Sequence, residues 1–179
     1  MSKARDLIEQ LLEYTSDEIK IANATSRSAG SVSAKALVPR YVEDRVSKGS
    51  SILDFGAGRD AIHAKRLKDA GFKDITAYDF GANIKDGIHD PDALSKSYDV
   101  VYASNVLNVQ SSLPMLRKTL DQIAGAVKSG GSFVGNFPEN PRKSEDITVD
   151  VVQKELADRF NKVSVVAGTK RAPVYLATK

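Results

Sequence analysis

The sequence predicts an open α/β fold: a doubly wound, mostly parallel sheet of seven strands with a reversed strand near its C-terminal end, preceded by N-terminal helices. Three observations carry this expectation. From Ser50 onward, short apolar segments alternate with helix-period segments of roughly 10 to 15 residues, the pattern of right-handed βαβ units. Gly56 and Gly58 follow directly on the first apolar segment, where a strand must turn into a helix. The last two apolar segments, 162–167 and 173–178, are linked by too few residues for a crossover, so they pair antiparallel or lie apart. A chain of 179 residues corresponds to about one domain. The expected division is a helical segment at 1–48, packing on or capping a site, and a sheet domain at 49–179.

Element by element, Leu7, Ile8, Leu11, Leu12 and Ile19 fall at helical spacing and predict an amphipathic helix over 2–22. Residues 23–33 are small and polar, with Arg27 their one charge. A second helix is expected from Ser33 as N-cap to Val46, kinked or split at Pro39. Strands follow at 51–55 and 74–78, around a helix at 60–70 that Gly71 closes. Residues 87–89 are read as a short third strand and 98–103 as a buried fourth. A helix at 111–127 carries Pro114 in its first turn and Gly130–Gly131 beyond its end. A fifth strand at 132–135 and a helix at 147–160 lead to the closing strand pair.

Composition narrows the chemistry. Without cysteine the chain has no disulfide, thiolate nucleophile or Cys-ligated metal, and its two histidines do not make a His-rich metal site. No structural metal is expected. No apolar run approaches the roughly 20 residues of a membrane span, and the N-terminus does not read as a signal peptide, so the expected location is the cytoplasm. The formal charge of +3 permits a polyanionic partner without requiring one.

The informative stretch is Leu53-Asp54-Phe55-Gly56-Ala57-Gly58-Arg59-Asp60-Ala61. Glycines in such a turn let a ligand approach the backbone, and the following helix N-terminus offers amide donors. Asp79 ends the next strand, where an acid can accept from both ribose hydroxyls. Asp90 is placed to meet an adenine amino group, although it precedes Pro91 and a turn-starting role stands beside that one. Together these positions describe a pocket for an adenosine-containing cofactor. The spacing Gly56-x-Gly58-x-x-Ala61 also matches a dinucleotide fingerprint, but Asp54 would face a pyrophosphate at close range, whereas it suits a cationic ligand. His63 reads as a surface residue, and His89 beside Asp90 and Asp92 as too few ligands for a metal.

The ordered segments LDFGAG, AYDF, HDPDAL, YDVVYASNVLNV and the Gly-Gly before SFVGNF resemble the motifs of class I S-adenosylmethionine (SAM)-dependent methyltransferases, over about residues 50–179. In style the chain is similar to small methyltransferases carried by bacteriophages. The resemblance implies SAM as cofactor, S-adenosylhomocysteine (SAH) as product, and cofactor contacts at Asp54, Phe55, Gly56, Ala57, Gly58, Asp79, Phe80, Asp90 and Ser104. It also places acceptor groups just after the fourth strand, where Asn105 is expected to orient the acceptor with help from Ser104 or Asn108. Nucleic-acid amine methyltransferases of this class carry a Pro-Pro-aromatic sequence there, which this chain lacks.

A second surface follows the fifth strand, where Phe137 can stack on a planar acceptor and Arg142 and Lys143 can meet phosphates. With Arg27, Arg40, Lys170 and Arg171 these form a candidate basic rim, against the alternative of scattered solvated charges. The leading expectation is therefore a nucleic-acid substrate, DNA foremost. The alternatives are a small-molecule methyltransferase whose N-terminal helices cover the acceptor, and a non-catalytic nicotinamide-dinucleotide-binding module. Oligomeric state is not legible in the sequence.

Overall fold

The structure is a computed structural model that describes residues 14–25, 32–140 and 145–179. Six strands form one sheet: β1 (Ser51–Phe55), β2 (Asp74–Tyr78), β3 (Tyr98–Ala103), β4 (Val127–Asn136), β5 (Lys162–Thr169) and β6 (Ala172–Thr178), in the order β2-β1-β3-β4-β6-β5. β1 pairs parallel with β2 and β3, and β3 with β4, while β6 runs antiparallel between β4 and β5. This is the α/β class expected from the sequence, with the reversed strand supplied by the short link before β6.

Strand alternation divides the core between the two faces. Leu53, Phe55, Val101 and Ala103 point to one side, against helices α4 (Leu113–Ala126) and α5 (Val149–Ala157). Ile52, Val100 and Tyr102 point to the other, against α2 (Leu37–Arg45) and α3 (Ile62–Asp69). Asp54 has the parity of Ile52, so the same alternation turns it toward the α3 face. Its partner in register on β3 is Tyr102. The buried Glu155 on α5 is neutralised by Arg117 and Arg159, each 2.9 Å away, which joins α5 to α4.

Several local expectations are corrected. The helix expected over 2–22 does not continue through residue 15. Glu18 N donates to Thr15 Oγ1 at 3.2 Å and Thr15 N to Glu18 Oε2 at 2.7 Å, a capping box that starts a new helix, α1 (Ser16–Thr25); positions 2–13 lie outside the described residues. Ser33 caps no helix: its hydroxyl and carbonyl turn the chain through Lys35 and Ala36, and α2 begins later, at Leu37. Pro39 neither kinks nor splits α2, because it stands in the first turn, where an N–H has no partner within the helix anyway. The strand expected at 87–89 is a turn, with the Ile88 and His89 amides both donating to Lys85 O, and the sheet therefore has six strands.

Candidate active site

A crevice of about 570 Å³ opens beyond the C-terminal ends of β1, β2 and β3. The chain steps from β1 to β2 on one side and then to β3 on the other. The crevice lies at that reversal of strand order, the ligand position of open α/β sheets.

Asp54 forms its floor. The side chain is 2% exposed, and Oδ2 has no hydrogen-bond partner among the described residues. Burial pushes its carboxyl up from an ordinary 3.8 to about 7, and the nearby Asp79 charge adds to the rise. The Tyr102 hydroxyl and the Ala64 amide in the first turn of α3 pull the other way. Neither Asp54 Oδ2 nor the Tyr102 hydroxyl completes a hydrogen bond among the described residues. A buried carboxylate with an open lone pair is costly without a compensating positive charge. The donor set thus suits a cation at this point.

The glycine turn forms the wall. The Gly56 and Ala57 amides both donate to Tyr78 O at 2.9 Å, tying the turn to β2. Gly56 has φ +75, and a Cβ there would stand 2.5 Å from Val106 Cγ2, so only glycine leaves this passage open. Gly58 N donates to Asp79 Oδ2 at 2.7 Å. Asp79 Oδ1 accepts from Phe80 N at 2.8 Å and from Asn83 Nδ2 at 3.4 Å. Burial raises the Asp79 carboxyl despite these donors. A carboxylate offers about four lone-pair sites, so capacity for a ligand hydroxyl remains.

His89 braces this turn from behind. Its Nδ1 accepts from Lys85 N at 3.0 Å, which leaves the proton on Nε2 to donate to Gly58 O at 2.9 Å. Both faces of the Gly58 residue are thereby held, by His89 at the carbonyl and by Asp79 at the amide.

The N-terminal segment covers one end. Tyr14 stacks on Phe80 with ring centroids 5.1 Å apart, and α1 packs Ile19 and Asn23 so closely over Gly81 that a Cβ there would meet Ile19 Cγ2 at 2.6 Å. The Tyr14 hydroxyl donates to Gln122 Oε1 at 3.1 Å and lies 3.2 Å from Thr119 Oγ1. Thr119 donates to Gln110 Oε1 at 3.0 Å, and Gln110 Nε2 to Val106 O at 2.7 Å. The covering segment is thus coupled to the loop after β3.

That loop supplies Ser104 and Asn105. The Ser104 hydroxyl lines the crevice, buried and without a partner among the described residues. Asn105 takes φ +59, a left-handed conformation that asparagine tolerates better than most residues. It is held there by Asn136 at the end of β4 through two bonds of 2.7 Å, from Asn105 N to Asn136 Oδ1 and from Asn136 Nδ2 to Asn105 Oδ1.

Of the residues singled out in the sequence, Asp54, Gly56, Ala57, Gly58, Asp79, Phe80, Ser104 and Asn105 line one crevice. Five differ in place or lie elsewhere. Phe55 points to the opposite face and packs on Tyr78, as the period of a strand requires. Asp90 stays outside the crevice, its carboxylate taken by Asp92 N at 2.8 Å and Lys96 Nζ at 2.5 Å, the turn-starting role. Asn108 does not line the crevice, and its Oδ1 is buried without a partner among the described residues. Phe137 is 3% exposed within the core between the sheet and α5, so it presents no stacking surface. His63 is buried and lines the crevice instead of facing solvent. Arg27, Arg142 and Lys143 lie outside the described residues. Arg40, Lys170 and Arg171 are exposed, with Arg171 3.7 Å from Glu139.

Sequence reasoning missed Tyr14, Tyr102, His89 and Asn136 as site residues. Only the Thr15-x-x-Glu18 capping pair and the polar end of β4 offered a signal; the others depend on strand register and tertiary contact. Among the described residues there is no cluster of three or more potential metal ligands, and no helix long and apolar enough to cross a membrane.

Comparison with known proteins gives a consistent picture. A sequence profile described as a methyltransferase domain matches residues 4–165. No curated protein sequence matches the chain. Among solved structures, the N-methyltransferase NodS from Bradyrhizobium japonicum, in complex with SAH, is similar at TM-score 0.61 and 12% identity, covering 90% of this chain and 97% of that one. A SAM-dependent methyltransferase from Bacteroides fragilis, also with SAH, is similar at TM-score 0.59 and 16% identity, covering 79% and 77%. The 16S rRNA N2 G1207 methyltransferase RsmC of T. thermophilus, with AdoMet and guanosine, is similar at 0.57 and 17%, covering 86% of this chain and 45% of that one.

Proposed function

This chain belongs to the methyltransferase domain family, matched over residues 4–165, and from that premise we propose that it moves the methyl group of SAM to a small acceptor bound beside Ser104 and Asn105. The observation that carries the cofactor is the buried, open carboxylate of Asp54 at the tip of β1. In this reading Asp54 holds the cationic end of the cofactor, Gly56 and Gly58 give it backbone contact, Asp79 accepts from its sugar, and Phe80, backed by Tyr14, packs on its base. SAM supplies an electrophilic methyl on a positively charged sulfur. The chain supplies alignment and exclusion of water. Val32, Val106 and Val109 present apolar surface to the crevice, and Ser104 and Asn105 offer polar groups that orient an acceptor lone pair. Among the described N-terminal residues, Tyr14 and α1 cover the Phe80 end of the crevice and Val32 lines it, whereas α2 packs on the sheet; residues 49–179 act as the cofactor-binding domain.

Two acceptor classes remain in view. Burial of Phe137 removes the stacking platform expected for a nucleic-acid base, and Val32, Val106 and Val109 give the crevice apolar lining, which favours a small acceptor. The nucleic-acid reading is supported by the formal charge of +3 and by exposed Arg40, Arg59, Lys170 and Arg171. Transfer of tritiated methyl to DNA, RNA, protein and metabolite fractions decides between them. Label in the metabolite fraction supports the small acceptor. Label in DNA or RNA, with affinity falling steeply as salt rises, supports the other. Absence of label in every fraction, together with no binding of SAM, would reject the proposal.

A further inference from the structure

The paired amides of Asn105 and Asn136 fix which end of Asn105 faces the acceptor. A backbone N–H can only donate, so the Asn136 atom 2.7 Å from Asn105 N is its oxygen. The Asn136 nitrogen must then be the atom facing Asn105, and being a donor it requires the Asn105 oxygen opposite it, again at 2.7 Å. The orientation of both side chains follows from one backbone amide, without the usual ambiguity between amide oxygen and nitrogen. Asn105 Oδ1 is consequently occupied. Its Nδ2 makes no hydrogen bond with any described residue, and the half-buried side chain lines the crevice. Next to it the Ser104 hydroxyl is buried and without a partner among the described residues.

We infer that Asn105 presents its amide N–H groups to the acceptor, and that the acceptor carries a lone-pair oxygen or nitrogen, such as a carbonyl or carboxylate oxygen, beside the atom that receives the methyl. This rests on the methyltransferase reading of the crevice and adds a substrate class to it. Asn136 is the positioning residue. It sets the polarity of Asn105 without touching the acceptor, and it sustains the left-handed backbone of Asn105. An acceptor that only donates, such as an alkylammonium, finds no matching group at Asn105.

The substitution Asn136→Asp tests this directly. The carboxylate still accepts from Asn105 N, but its second oxygen cannot donate, so the Asn105 amide turns over and presents its oxygen to the crevice. ¹⁵N-labelled protein loaded with SAH is titrated with N,N-dimethylbenzamide, which only accepts, and with benzylammonium, which only donates. The side-chain amide signal absent from Asn105→Asp identifies Asn105. In the wild type, dimethylbenzamide shifts that signal and binds about tenfold more tightly than benzylammonium, the scale of one hydrogen bond. In Asn136→Asp the preference reverses. Should Asn136→Asp not fold, Asn105→Asp, which keeps Asn136 Nδ2 satisfied and presents an oxygen, is expected to show the same reversal in perturbation of the Ser104 amide. Tighter benzylammonium binding to the wild type, no response of Asn105 to either compound, or an unchanged preference in both variants overturns the inference while SAH still binds. Failure of SAH to bind overturns the methyltransferase reading itself.

Discussion

Replacing Asp54 by Asn tests the electrostatics of the crevice floor. The Asp54 carboxyl titrates at about 7 in the folded protein, against 3.8 ordinarily, because burial disfavours its charge. Such a group binds its proton more tightly when folded than when unfolded. Its stabilising contribution is therefore complete below pH 3.8 and is lost as the pH rises to about 7. The full difference corresponds to about 4 kcal/mol, of which about 3 kcal/mol falls between pH 5 and 8. Denaturant unfolding of the ligand-free protein at pH 5 and pH 8 should show wild type losing that much relative to Asp54→Asn. Asp79 is also raised by burial and its charge contributes to the Asp54 rise, so the difference reports Asp54 together with its coupling to Asp79. Calorimetry adds a second reading: SAM affinity should rise about tenfold per pH unit from 5 to 7 and then level off in the wild type, and stay weak and flat in the variant. Parallel pH profiles for the two proteins, in stability and in binding, would refute this account.

Other perturbations probe separate parts of the site. Asp79→Ala leaves the Gly58 and Phe80 amides without their acceptor and should weaken SAM binding about a hundredfold by calorimetry, since bonds to a charged group are worth roughly 1.5–3 kcal/mol each; unaltered affinity would remove Asp79 from the cofactor set. Gly56→Ala combines a left-handed backbone with a Cβ 2.5 Å from Val106 Cγ2. It should cost about 1–2 kcal/mol in stability and block SAM binding, measured by thermal unfolding with and without SAM. Phe137→Ala opens a core cavity and should lower stability by about 3–5 kcal/mol, while the salt dependence of any nucleic-acid binding stays that of the wild type. A reduced salt dependence with normal stability would return Phe137 to the surface role first expected of it.

Much of the site was readable because strand-to-helix turns write their requirements locally. An acid at a strand end, followed by two glycines, needs no distant partner to be recognised, and Asp54, Gly56, Gly58 and Asp79 meet in one crevice. Strand alternation settled less. In the sequence Phe55 and Phe137 read as ligand-facing, yet their side chains belong to the core on the far side of the sheet. Asp90 shows the limit of local chemistry, since an acid before proline serves a cofactor or a turn equally well until Lys96 is found against it. His63 looked solvated among lysines and an arginine, and only its place in the first turn of α3 over the sheet buries it.

The sequence by itself determined the layered α/β fold, its reversed last strand and the glycine turn, because periodicity, short links and residue size act within a few positions of the chain. Tertiary structure alone decided what faces what. The register of β1 against β3 set Tyr102 beside Asp54, and the pairing of β3 with β4 brought Asn136 to Asn105. Such contacts join residues some 30 to 50 positions apart, and no local preference encodes them, since they arise only when the sheet closes its hydrogen bonds and both faces are buried at once.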